Sequence, residues 1–87
     1  MGAPFESPDA LDRFVSEVRQ QLEATGFAAA ASRLAAVQGT AFTTGSEWLG
    51  ELGTAVNAIW DDRRLPREIR EKLEAIRAEV RRVWPAL

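Results

Sequence analysis

The sequence predicts an all-α protein, a small four-helix bundle. Apolar residues recur three and four apart through most of the chain, and no segment sustains a two-residue alternation. Cap, proline and glycine signals then divide the chain into four helical segments. The 87 residues make a single helical domain, residues 1–87. A chain of this length buries only about 60–65% of its extended surface, so its core is thin. Hydrophobic residues reach 46%, but fifteen of them are alanine. Self-association into a dimer is one way to complete such a core.

Residues 1–6 read as a flexible N-terminus. The first helix is expected over about residues 8–25: Ser7 is the N-cap, Pro8 fills the first helical position, and Asp9 places an acid in the first turn. Its apolar stripe is Leu11, Phe14, Val15, Val18 and Leu22, and Gly26 is placed to end it.

The second helix, about 27–38, is mostly alanine, with Phe27, Leu34 and Val37 as its large residues. Small side chains let neighbours pack on several sides, so this helix is expected to be the most enclosed. Gly39 closes it, and Phe42 is expected to tuck beneath the linker that follows.

The third helix, about 45–60, opens with a capping box: the Thr44 hydroxyl accepts from the Glu47 amide while Glu47 reaches back to the Thr44 amide. Two glycines lie inside it, each costing about 1 kcal/mol relative to alanine. At about 100° per residue, Ser46, Gly50, Gly53 and Asn57 share one flank, beside a stripe of Trp48, Leu52, Ala55, Val56 and Ile59. A flank of small side chains admits a close neighbour, from this chain or from a partner.

Residues 61–65 connect to the fourth helix, about 66–84, which starts at Pro66 and ends before Pro85. So short a connection implies antiparallel neighbours, a C-terminal helical hairpin with Trp48 and Trp84 at one end. The fourth helix has the cleanest period: Ile69, Leu73, Ile76, Val80 and Val83. That spacing suits packing within the bundle or, over barely two heptads, a dimer seam.

Composition narrows the chemistry. Cysteine and histidine are absent, which removes thiolate nucleophiles, disulfides, the commonest general base and the commonest transition-metal ligands. No catalytic residue, metal site or cofactor is expected, and the chain is read as a non-enzyme. No apolar run approaches the roughly 18 residues that span a bilayer. The opening residues lack the basic and apolar regions of a secretory signal, and Glu6 stands where myristoylation needs Ser or Thr. The expected setting is the cytoplasm, with no membrane partner. Ten arginines against one lysine suggest a GC-rich bacterial source.

Net charge is −2 but uneven: residues 1–60 hold seven acids and three bases, residues 61–87 six acids and eight bases. Arg67, Arg70, Arg77 and Arg81 form a charged flank on the fourth helix, a candidate docking surface. The same residues also suit a solvated face neutralised by i,i+4 pairs such as Arg67–Glu71, Arg70–Glu74 and Glu68–Lys72. Residues 22–34 resemble a helix-turn-helix, which would make 28–38 a recognition helix. That helix offers only Ser32, Arg33 and Gln38 as polar groups, and the acidic chain is not expected to bind nucleic acid.

The expected function is therefore non-catalytic protein–protein association, as an adaptor, regulator or immunity/antitoxin-like partner, with another protein or a second copy. Ser46, Trp48, Gly50, Gly53, Asn57 and Trp84 are the candidate partner-binding residues, tryptophan being favoured at interfaces. The alternative is a helix-turn-helix DNA-binding regulator that uses residues 28–38.

Overall fold

Ser7 opens the first helix as its spacing requires: its Oγ accepts from the Ala10 N–H at 3.1 Å, and Pro8 follows at the position where a missing N–H costs nothing. The computed structural model describes residues 5 and 7–87. It contains four helices, α1 (Pro8–Ala24), α2 (Ala28–Gly39), α3 (Gly45–Trp60) and α4 (Arg67–Arg81), with no strand among the described residues. The expected flexible N-terminus falls, apart from Phe5, outside the described residues.

Gly26 turns the chain at φ +90°, a left-handed conformation that suits glycine. Around it the Phe27 N–H donates to the Leu22 carbonyl at 2.8 Å and the Gly26 N–H to the Glu23 carbonyl at 3.3 Å. These two bonds make a Schellman termination, and Phe27 packs against the core beside it. At Thr44 half of the expected capping box forms: its Oγ1 accepts from the Glu47 N–H at 3.2 Å, but no bond returns from the Glu47 carboxylate.

The helices form a bundle in which each packs on two others: α1 against α2 and α4, and α3 against α2 and α4. The radius of gyration, 12.1 Å, matches the value of about 12 Å for a compact chain of this length. The core joins Leu11, Val15, Val18 and Leu22 of α1 to Leu34 of α2, Leu52, Val56 and Ile59 of α3, and Ile69, Leu73, Ile76 and Val80 of α4. Truncating one of its fully buried members, Leu73→Ala for instance, removes packing worth about 2–5 kcal/mol.

The helices depart from the sequence pattern in two places. The second helix is not the most enclosed: only Ala31, Leu34 and Val37 are buried in α2, whereas α3 buries Leu52, Gly53, Ala55, Val56 and Ile59. Alanine carries too little apolar area to turn a helix inward, so Ala28, Ala29 and Ala36 face solvent. The apolar stripe of the fourth helix also ends early. α4 stops at Arg81, and Val83 lies past it, 47% exposed. Other boundaries move by a residue or two: Thr25 and Phe27 are caps, Gly39 is the last residue of α2, and Pro66 is the N-cap of α4.

Candidate functional site

The small-residue flank of α3 is filled from within the chain. A β-carbon placed on Gly53 would meet Val80 Cγ1 at 2.6 Å and Leu87 Cδ1 at 3.0 Å, and one on Gly50 would meet Trp84 Nε1 at 3.4 Å. The Trp84 indole N–H donates to the Ser46 carbonyl at 2.7 Å, and the Asn57 amide donates to the Leu87 carbonyl at 3.2 Å. Ser46, Gly50, Gly53, Asn57 and Trp84 are thus brought together, with Leu87 as a member that the sequence reading missed. Its signal was the spacing of two apolar residues, Trp84 and Leu87, around Pro85.

Trp48 stands apart from that group. It is two residues beyond Ser46, about 200° round the helix. It lines a cleft of 370 Å³ between the first turns of α1 and α3 and the end of α4. Phe5, Pro8, Leu11, Trp48 and Leu49 supply its apolar walls, with Ser7 and Gly45 at the helix starts. Glu79 and Arg82 complete the lining and pair with each other at 3.0 Å. Phe5 is held there by Phe14, their rings 5.1 Å apart and tilted. Leu11 was legible as core; Phe5, Pro8 and Leu49 gave no signal for the cleft, because three segments distant in sequence build it.

The arginine flank of α4 divides. Arg70 donates to the carbonyls of Trp60 at 3.1 Å and Asp62 at 2.8 Å, closing the C-terminal end of α3. Its guanidinium carbon also lies over the Trp60 ring, 4.8 Å from the centroid, and that of Arg77 lies 5.3 Å from the same ring. Arg67 points to solvent and pairs with Glu71 at 3.2 Å, and Arg81 is exposed. Of the i,i+4 pairs that the spacing allows, only Arg67–Glu71 forms; Arg70 is drawn to α3 instead, and Glu68–Lys72 is not made. The Asp62 carboxylate accepts from the Arg64 side chain and backbone, which holds its pKa below the usual aspartate value.

On α2, Gln38 is committed to α1. Its Nε2 donates to the Asp12 carbonyl at 3.0 Å, the Asp12 carboxylate at 2.9 Å and the Ser16 hydroxyl at 3.0 Å, while its Oε1 accepts from Arg19 at 3.0 Å. Ser32 and Arg33 remain exposed on that helix. Among the described residues no cluster of three or more Asp and Glu side chains is placed to hold a metal ion, and no helix is long and apolar enough to cross a membrane. The chain matches no family model, no curated protein and no solved structure.

Proposed function

We propose that this chain is a non-catalytic helical protein that acts by associating with another protein, in the manner of an adaptor, a regulator or an immunity or antitoxin partner, in the cytoplasm of a bacterium. One observation supports this reading above the others: the open cleft whose apolar walls are Phe5, Pro8, Leu11, Trp48 and Leu49. Trp48 is the anchor of this surface, since half-buried tryptophans dominate the energetics of protein interfaces. The two helix starts that flank the cleft are capped by the Ser7 and Thr44 hydroxyls, which accept from the Ala10 and Glu47 amides.

The pairing of α3 with α4 frames the site. An antiparallel arrangement is supported by three pairs of neighbours, Ser46 with Trp84, Gly53 with Val80, and Trp60 with Arg70. It brings the end of α4, and with it Arg82, to the mouth of the cleft. A second copy of the chain is one occupant that the test must distinguish from a different protein.

Photo-crosslinking from single positions tests the reading. A photoreactive residue at Leu49 in the cleft is expected to capture one defined protein in cells, while the same residue at Ser32 on α2 does not. The purified pair should then lose about tenfold or more in affinity with Trp48→Ala. Capture that does not depend on position would overturn the proposal. Capture of a second copy would identify the chain as its own partner, to be checked by sedimentation. A salt-dependent gel shift with DNA, abolished by Arg33→Ala, would favour the helix-turn-helix alternative.

A further inference from the structure

Residues 84–87 close a turn of their own. The Leu87 N–H donates to the Trp84 carbonyl at 3.0 Å, and Pro85 sits at the second position, where its fixed φ suits the commonest turns. The helical bonding of α4 runs out at the first residue of the turn: the amides of Val83 and Trp84 both reach the Val80 carbonyl, at 3.0 and 2.8 Å. The turn is therefore a preformed unit at the end of α4.

Three contacts seat it on α3. They are the bond from the Trp84 indole to Ser46, the bond from the Asn57 amide to Leu87, and the Leu87 side chain over Gly53. Of residues 81–87 only Leu87 packs against the core, and it is half-buried, while Trp84 remains 42% exposed. The seat is also imperfect. The Oδ1 of Asn57, whose amide nitrogen holds Leu87, is buried without a donor. Lifting the turn hydrates that oxygen, which favours the open state, and water replaces both tethering bonds. Opening the bundle itself would instead expose the whole apolar core. Segments with few buried contacts open well below the free energy of global unfolding.

We infer that residues 84–87 form a strap that lifts from α3 as a unit while the four helices stay folded, uncovering the Gly50–Gly53 flank and the Asn57 carboxamide. The inference is independent of what the cleft binds.

Hydrogen exchange on the intact chain, followed by NMR at denaturant concentrations below the unfolding transition, tests it. The Trp84 indole proton reports directly on seating. It should be protected relative to free indole, yet exchange on the order of tenfold or more faster than the Leu52 and Val56 amides, with little dependence on denaturant. Leu87→Ala should accelerate it further and leave the core amides unchanged. Exchange at the rate and denaturant slope of the core would mean that the strap opens only with the bundle. Exchange at the free-indole rate would mean that it is never seated. Either result overturns the inference, as does an unchanged rate in Leu87→Ala.

Discussion

Gly53 and Val80 meet so closely that the glycine leaves no room for a methyl group: a β-carbon there would stand 2.6 Å from Val80 Cγ1. Val80 is fully buried and, as a β-branched residue in a helix, has one good rotamer, so it cannot swing aside. Overpacking of this kind costs about 1–3 kcal/mol, against a gain in helix propensity of about 1 kcal/mol. Gly53→Ala should therefore lower stability. Because Val80 and Leu87 belong to the same chain, the loss in thermal melts should be the same at every protein concentration. A stabilised Gly53→Ala protein would sink this account.

Gly50 should behave in the opposite way. Its nearest neighbour would be Trp84 Nε1 at 3.4 Å, an ordinary van der Waals distance, so the added methyl fits against the indole. Gly50→Ala should raise stability by up to about 1 kcal/mol, following helix propensity. The two glycines share a flank and have the same residue type, yet the signs of their substitutions differ. Denaturant midpoints of the two variants, compared with the parent, check the pair.

The arginines of α4 should separate as sharply. Arg70 makes two charge-assisted bonds to carbonyls near the end of α3 and stacks on Trp60, and its loss to alanine should cost about 2 kcal/mol. Arg70→Lys should recover only part of that, because an ammonium lacks the planar fork. Arg67 forms only the surface pair with Glu71, and Arg67→Ala should change stability by less than about 0.5 kcal/mol. Urea unfolding of the three variants separates these outcomes.

What could be read in the sequence was local. Ser7-Pro8, Gly26 and Thr44 announce helix ends because each acts on backbone groups within a few residues. The repeat Ile69, Leu73, Ile76 and Val80 likewise shows which face of α4 is inward. The orientation of α2 was not legible, since alanine is at home both inside and outside and gives the helix little amphipathic contrast. Val83 has the right phase for the core, but a period cannot say where the opposing surface ends. The occupant of the glycine flank was hidden for a different reason: Ser46 and Trp84 lie 38 residues apart, and nothing local to either records the other. The same holds for the cleft, where Leu11 and Trp48 come from separate helices.

Gln38 offers a test of one such distant contact. It ties α2 to Asp12, Ser16 and Arg19, across a separation of 26 residues at Asp12. The network is partly open to water, so Gln38→Ala should cost about 1 kcal/mol rather than the larger penalty of a buried orphan. A double-mutant cycle with Asp12→Ala should return a favourable coupling of roughly 0.5–1 kcal/mol. Strict additivity of the two changes would show that the bond contributes nothing in solution.

Asp62 makes stability depend on pH in a direction that can be worked out. Its carboxylate accepts from Arg64 Nη2 at 3.0 Å and from the Arg64 backbone N–H at 2.9 Å. The Arg64 side chain is the largest cause of its lowered pKa, followed by that backbone bond; partial burial works against them. The ordinary value is 3.8, and the folded state lies below it. A carboxyl whose pKa falls on folding binds protons more readily when unfolded. Its contribution is therefore fully present above 3.8 and is lost as the pH falls through the lowered folded-state value. Arg64 stays protonated throughout that range, since the same bond raises its own pKa. Asp62→Asn should accordingly be less stable than the parent near neutrality and should lose less stability on acidification. The gap between the two unfolding midpoints should close as the pH falls through that lowered value. A gap between them that persists unchanged into acid would show that the charge of Asp62 is not what the Arg64 contact draws on.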